Sequence, residues 1–155
     1  MLKDGLPSIT APTSIAGMIG LAPSITTFGN TKPTSSFRLV PQQDVPTNVC
    51  WGDRNRSVLV RVPLGWTAKA NMCAAANGAK RATPCEDVDS RQKQTFEIRS
   101  ADCSADIYQL IAGLAVAVRH GFEMPDALEV AGRQYVDIDI HKPENAAKLA
   151  SLPTL

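Results

Sequence analysis

The residues of this chain that are best suited to chemistry are arginines at unusual positions. Arg56 lies in a run of turn-forming residues, whereas Arg61 and Arg99 lie among β-branched and aromatic residues. A guanidinium presents its N–H donors in a rigid fork that fits carboxylate and phosphate. Several such groups around one site offset the negative charge of phosphoryl transfer. The pattern indicates an anion or phosphoryl-transfer site, and a solvated row of arginines on one sheet face would produce the same pattern.

Glu97 adds a carboxylate to this set. In the run Phe96-Glu97-Ile98-Arg99, strand alternation places Glu97 and Arg99 on one face and the two apolar residues on the other. A magnesium-binding glutamate beside a phosphate-binding arginine has this pattern, and so has a cross-strand salt bridge. Strict alternation would turn Arg56 and Arg61 to opposite faces. Both reach one site only if Arg56 lies in a turn.

Short strands must position these residues. Residues 47 to 62 predict an antiparallel hairpin with its turn at 53–55, because both arms are rich in apolar and β-branched residues. Residues 94 to 99 predict a third short strand. Between them, residues 64 to 92 lose periodicity and predict a long inserted loop. The expected fold class is α+β, with a small antiparallel sheet backed by helices.

One long helix is expected behind this sheet, over residues 104 to 120. Ser104 fits the N-cap preference and Gly121 fits a stop signal. The segment between them is apolar almost all round, so we expect a helix that is buried on most faces. Shorter helical segments are expected over 127–132 and 145–150.

Residues 1 to 36 carry more apolar side chains than a solvated tail would. They predict a short helix over 14–22 that Pro23 ends. Glycines and prolines interrupt the stretch too often for an independent unit, so its apolar side chains need a partner surface. These side chains include Ile15, Met18, Ile19 and Leu21.

The composition fits one globular domain over residues 1–155, since 44% of the residues are apolar and 20% are charged. A net charge of +1 predicts neither a nucleic-acid partner nor an anionic membrane surface. The longest apolar run, Ile111 to Val118, is far shorter than the roughly 20 residues of a membrane-spanning helix. No membrane partner is therefore expected.

The four cysteines are too widely spaced for a zinc site. Cys50 and Cys103 are predicted to be buried thiols in a reducing compartment, which favours a cytoplasmic location. Cys73 and Cys85 bracket part of the inserted loop, so a disulfide between them stays an alternative.

The order and spacing of these motifs resemble the carboxy-terminal half of the glutamine synthetase catalytic domain, whose fold is shared with guanidino kinases. The family pattern contains R-L-V-P, N-R-S-x-x-x-R-[IV]-P and [IF]-E-x-R-x-x-D. The matching segments are Arg38-Leu39-Val40-Pro41, Asn55-Arg56-Ser57, Arg61-Val62-Pro63 and Phe96-Glu97-Ile98-Arg99-Ser100-Ala101-Asp102. The resemblance covers roughly residues 8 to 122.

The resemblance implies roles for four arginines. Arg38 matches an arginine that holds the carboxylate of the substrate glutamate. Arg99 matches one that faces the substrate and the phosphoryl group. Arg56 and Arg61 match arginines on the transferring phosphate and on the nucleotide phosphates.

The resemblance also implies roles for two acids. Glu97 matches a ligand of the Mg²⁺ or Mn²⁺ ion beside ATP. Asp44 falls where the family has the flap glutamate that shields the acyl-phosphate intermediate and helps deprotonate ammonium. Thr95 replaces a family arginine, and residues 64 to 92 form an insertion. These departures suggest a divergent homologue whose amine substrate differs from ammonia.

The implied activity is the ATP-dependent ligation of glutamate to ammonia or another amine, in nitrogen metabolism, by a homo-oligomer. The first half of the family's catalytic domain has no counterpart in this sequence, so we expect the chain to be inactive alone. The alternative is a non-catalytic interaction or structural module derived from the same fold. A guanidino phosphotransferase has less support, because no cysteine stands in a recognisable catalytic context.

Overall fold

The computed structural model describes residues 2–3, 6–7, 9–40, 45–63 and 95–155. Within them the chain forms five α-helices, two 3₁₀ helices and five short strands, which confirms the α+β class. The inserted loop predicted over 64–92 lies outside the described residues, and so do Asp44, Cys73 and Cys85.

The helices are α1 (Thr10–Gly20), α2 (Ala22–Gly29), α3 (Ile107–Glu123), α4 (Ala127–Arg133) and α5 (Ala146–Ser151). The 3₁₀ helices span Pro33–Arg38 and Pro143–Asn145. The strands are β1 (Leu2–Lys3), β2 (Leu6–Pro7), β3 (Trp51–Asp53), β4 (Val60–Val62) and β5 (Glu97–Ile98). Helices α4 and α5 confirm the helical segments expected over 127–132 and 145–150.

The central sheet has the strand order β3-β4-β5 and is mixed. Strand β5 pairs antiparallel with β4, which places Arg61 opposite Glu97. Strand β3 pairs parallel with β4, with Trp51 opposite Val60, so the predicted antiparallel hairpin over 47 to 62 is wrong.

The reason for this difference lies in two consecutive buried residues. Val58 and Leu59 are both inaccessible to solvent, but they belong to different hydrophobic clusters. The chain bends at both residues instead of running as an extended strand. The N–H groups of Leu59 and Val60 both donate to the Cys50 carbonyl at 3.1 Å. Only then does β4 begin.

Helix α1 lies directly on the sheet. Its Ile15 and Ile19 share one buried cluster with Trp51, Leu59 and Val60. The apolar side chains that the sequence assigned to a partner surface are therefore central to the core. Ile15, Met18 and Ile19 are all buried.

Helix α2 begins immediately after α1 ends. Pro23 stands in the first turn of α2, where its missing N–H costs no helical hydrogen bond. It therefore starts a second helix rather than ending the first, contrary to the sequence prediction.

Helix α3 crosses α1 at a point where each helix has a glycine, so the two backbones come into direct contact. A Cβ built on Gly17 of α1 would lie 2.5 Å from the amide nitrogen of Gly121 and still closer to the Ala117 carbonyl oxygen. A Cβ on Gly121 would lie 2.9 Å from the amide nitrogen of Gly17. Gly121 therefore lies inside α3 at a helix crossing, and its predicted role as a stop is wrong.

The start of α3 also differs from the prediction. Asp106 is the N-cap, and its carboxylate accepts hydrogen bonds from the N–H groups of Tyr108 and Gln109 at 2.9 and 3.2 Å. Ser104 fits the same sequence preference, but its hydroxyl donates to the Asp102 carboxylate instead. The helix thus begins two residues later than a Ser104 cap would place it.

Most of α3 is exposed. Ala117 and Gly121 are its only fully buried residues, whereas Ile107, Ile111, Val116 and Phe122 are each more than half exposed. The prediction of burial on most faces is therefore wrong for this chain taken by itself. Within the described residues, no helix is both long enough and apolar enough to cross a bilayer.

Candidate functional site

The candidate site is centred on the Glu97 carboxylate at the β4–β5 pair. Arg61 lies opposite Glu97 in the strand register, and its Nη2 atom is 2.5 Å from Glu97 Oε2. The Nε atom of Arg99 lies 4.0 Å from the other carboxylate oxygen. Glu97 therefore sits between two guanidinium groups. Its side chain is 45% exposed, so it is not buried beneath α3.

Strand alternation places these groups as the sequence predicts. Phe96 and Ile98 point into the core and pack on the cluster that contains Met18 of α1 and Ala117 of α3. Glu97 and Arg99 point the other way, where they meet Arg61. The apolar side chains of this segment thus anchor it in the core, and its charged side chains form the opposite face.

Arg56 lies in the turn between β3 and β4, which is the position that a shared site requires. Its side chain is exposed, and its carbonyl oxygen accepts a hydrogen bond from the Arg99 guanidinium. The structure therefore brings together Arg61, Glu97 and Arg99 through their side chains. Arg56 joins this group through its main chain.

Asn55 fixes the same turn. Its amide nitrogen donates to the carbonyl oxygens of Val136 and Ile138 at 3.3 and 2.8 Å. Its amide oxygen accepts from both the N–H and the hydroxyl of Ser57, at 2.9 and 2.7 Å. The turn that carries Arg56 is thus tied to the segment after α4. The neighbouring Arg54 adopts a positive φ of 55°, which marks the sharp change of direction.

Arg38 lies in a second charged cluster, at the end of the first 3₁₀ helix. Its Nη1 atom donates to Asp102 Oδ1 and to the Ala101 carbonyl oxygen, both at 3.2 Å. The structure thus pairs Arg38 with Asp102, three residues beyond Arg99 in the chain.

Hydroxyl groups hold the Asp102 carboxylate in its charged form. Ser35 and Ser104 donate to it at 2.6 and 2.7 Å, and these hydrogen bonds hold its pKa well below the usual range of a carboxyl group. Because the native pKa is depressed, the stabilising contribution is complete at neutral pH. It is lost only as the pH falls through that low pKa.

This arrangement suits an anion better than an isolated metal ion. Among the residues that the structure describes, no three histidine, cysteine or acidic side chains come together as a metal-binding group. Glu97 offers one carboxylate, and divalent cations need several oxygen ligands. The guanidinium groups of Arg61 and Arg99 instead match the charge and geometry of phosphate. On its own the described site does not fit a resident Mg²⁺ or Mn²⁺ ion.

Neither of the two cysteines that the structure describes, Cys50 and Cys103, takes part in this site. Burial raises the pKa of the Cys50 thiol to about 11, so it stays protonated at neutral pH. Cys103 is exposed, which corrects the prediction that it is buried. Cys50 alone fits the expected buried thiol.

Sequence reasoning missed the residues that hold the arginines. The sequence marks Asp102 only as part of a motif, Ser104 only as a helix cap, and Asn55 only as a turn and motif residue. The available signal was the serine-rich segment before Arg38, since short hydroxyl side chains often satisfy a nearby carboxylate. The pairs Ser35–Asp102, Arg38–Asp102 and Asn55–Val136 are each more than 60 residues apart in the chain, and no local pattern indicates such a pairing.

Comparison with known proteins gives a consistent result. The family model for the glutamine synthetase catalytic domain matches residues 3–155. The glutamine synthetase of Mycobacterium bovis is similar to this chain, with 29% identity over 98% of the chain and 29% of the relative. That of Streptomyces coelicolor is 31% identical over 95% of the chain and 26% of the relative. That of Pyrococcus furiosus is 41% identical over 43% of the chain and 15% of the relative. The chain spans less than a third of the length of these relatives.

Proposed function

The chain belongs to the glutamine synthetase family through its catalytic domain, and we propose on that premise that it supplies the carboxy-terminal part of a ligase active site. The reaction is the ATP-dependent joining of glutamate to ammonia or another amine. The observation that supports this proposal is the Glu97 carboxylate held between the Arg61 and Arg99 guanidiniums. Such a group of charges can bind a phosphate and contribute one ligand to a shared metal ion.

Each arginine has a proposed partner. Arg61 binds the nucleotide phosphates, Arg56 acts on the transferring phosphate, and Arg99 faces the substrate and the phosphoryl group. Arg38 binds the carboxylate of glutamate. Positive charge at these positions offsets the negative charge that gathers during phosphoryl transfer.

The two acids complete the proposed set. Glu97 is one ligand of a Mg²⁺ or Mn²⁺ ion beside ATP, and the other ligands come from outside the described residues. Asp44 shields the intermediate from water and takes a proton from the incoming ammonium. Since aspartate is shorter than the family's glutamate at that position, an amine other than ammonia is an alternative substrate.

We propose that the assembled protein is a cytoplasmic homo-oligomer. Helix α3 exposes the apolar side chains of Ile107, Ile111, Val116 and Phe122, which supports an assembly in which the surface of this helix is covered. The same surface would serve a non-catalytic interaction module, which remains the second candidate function.

The isolated chain is expected to form no glutamine or other γ-glutamyl amide. The described residues supply one carboxylate of a metal site, and a single carboxylate does not fix a divalent ion for phosphoryl transfer. The measurement is release of phosphate and formation of amide with ATP, Mg²⁺, glutamate and ammonia, then with larger amines.

The full-length glutamine synthetase of Mycobacterium bovis, assayed in the same buffer, is the positive control. Turnover by the purified chain that disappears in Glu97→Gln would contradict the expectation of inactivity. It would show that the 155 residues already contain a complete site.

A further inference from the structure

The Arg38 guanidinium is held at one end and available at the other. Its Nη1 atom donates to Asp102 and to the Ala101 carbonyl. Within the described residues, its Nε and Nη2 atoms make no hydrogen bond, and the side chain is 41% exposed. Nε and Nη2 lie on one edge of the guanidinium, and together they match the two oxygens of a carboxylate. Arg38 thus retains an edge for a carboxylate ligand.

Asp102 is itself held from three directions. The hydroxyls of Ser35 and Ser104 donate to Oδ2 at 2.6 and 2.7 Å. The Asp102 N–H donates to the carbonyl oxygen of Gly29, at the end of α2, at 2.8 Å. These partners come from the first 3₁₀ helix, the segment before α3 and α2. Since both the carboxylate and its backbone are fixed, Asp102 presents Oδ1 to Arg38 in one orientation.

We propose that Asp102 is a positioning residue for Arg38. By holding Nη1, it presents the Nε–Nη2 edge to the carboxylate of an amino-acid substrate. The contact also fixes that edge relative to the guanidinium of Arg99, which lies three residues before Asp102 on the same segment. This inference rests on the proposed function, because glutamate is taken as the carboxylate ligand.

The test uses nuclear magnetic resonance of the arginine side-chain N–H groups in the complete 155-residue chain. Two readouts are recorded, namely the rate of rotation of the Arg38 guanidinium and the shift of its Nε resonance during titration with L-glutamate. In Asp102→Asn we expect faster rotation and an increase of about tenfold in the Kd for L-glutamate, because a charge-assisted hydrogen bond is replaced by a neutral one. A residue that only stabilised the fold would leave the rotation rate unchanged.

Asp106→Asn is the matched control, since it makes the same chemical change four residues away, where the carboxylate caps α3. It should leave both Arg38 readouts at their wild-type values. Ser104→Ala is a second variant in case Asp102→Asn does not fold. It removes one of the two hydroxyls on Asp102, so we expect a smaller change of the same sign.

The outcomes separate this inference from the proposed function. If Arg38 rotates at the wild-type rate in folded Asp102→Asn, or equally fast in Asp106→Asn, Asp102 does not position it. The Arg38 guanidinium could rotate faster only in Asp102→Asn while L-glutamate shifts no Arg38 resonance in the wild type. That result would reject glutamate as the ligand of Arg38. The positioning of Arg38 by Asp102 then stands.

Discussion

Replacing Gly121 with alanine is expected to lower the free energy of unfolding by at least about 3 kcal/mol. The added Cβ would lie 2.9 Å from the amide nitrogen of Gly17, 3.1 Å from its Cα and still closer to the Thr13 carbonyl oxygen. These are backbone atoms, so no side chain can rotate away. The helices α1 and α3 must separate, which opens the core that α1 shares with the sheet. Urea denaturation followed by circular dichroism measures the effect.

Gly20→Ala is the matched control for this prediction. Gly20 belongs to α1, the other helix of the crossing, and a Cβ there would meet only side-chain atoms, the nearest at 3.9 Å. We expect its stability to equal the wild type or to exceed it by up to about 1 kcal/mol, because alanine favours helix over glycine. Equal stabilities of Gly121→Ala and Gly20→Ala would contradict the close crossing of α1 and α3.

Asn55→Ala is expected to lower the free energy of unfolding by about 2–3 kcal/mol. The substitution removes both donors to Val136 and Ile138 and both bonds from Ser57. The Val136 carbonyl and the Ser57 hydroxyl lie in partly buried surroundings, so water replaces the lost partners incompletely. Hydrogen exchange should rise in residues 54–57 and 136–140, where the amide joins the two segments.

Asn145→Ala provides the comparison for Asn55. The Asn145 amide makes one exposed hydrogen bond, to the Asp139 carbonyl at 2.7 Å. Its loss should cost about 0.5 kcal/mol, near the low end for an exposed bond. If Asn55→Ala costs no more than Asn145→Ala, the turn that carries Arg56 is held by something other than the Asn55 amide.

The charged face of the site could be predicted because it depends on local rules. Alternation along Phe96 to Arg99 separates the apolar side from the charged side, and the structure follows it. The spacing of Arg56 and Arg61 sets the condition that they share a site only if Arg56 lies in a turn, and Arg56 does lie in the turn between β3 and β4. Both inferences use only the geometry of one strand and one turn.

The packing of the helices could not be predicted in the same way. A glycine can end a helix, and it can also permit two backbones to approach closely. The sequence alone therefore does not decide which of these roles Gly121 has. Ser104 and Asp106 both suit an N-cap, and the choice between them depends on Asp102, which already uses the Ser104 hydroxyl. The burial of α1 likewise depends on residues that are distant in the chain.

The sequence pattern did not predict the parallel pairing of β3 with β4, for a related reason. Runs of β-branched residues separated by a short turn favour a hairpin. Here the run begins with Val58 and Leu59, which fill two separate clusters before the strand starts. Only the last three residues of this run, Val60–Val62, form the strand that β-branched residues favour.

The central claim is that this chain provides the phosphate-binding and carboxylate-binding part of a glutamine synthetase active site. The most direct test is a chimera in which residues 3–155 replace the matching segment of the Streptomyces coelicolor enzyme, assayed for ATP-dependent glutamine formation. We expect activity that falls at least about a hundredfold in Glu97→Gln, because a displaced metal or phosphate misaligns the reacting groups. Glu129→Gln, on the exposed surface of α4, should leave it unchanged. A chimera that keeps the oligomeric state of its parent but forms no glutamine, or that retains its activity in Glu97→Gln, would contradict the claim.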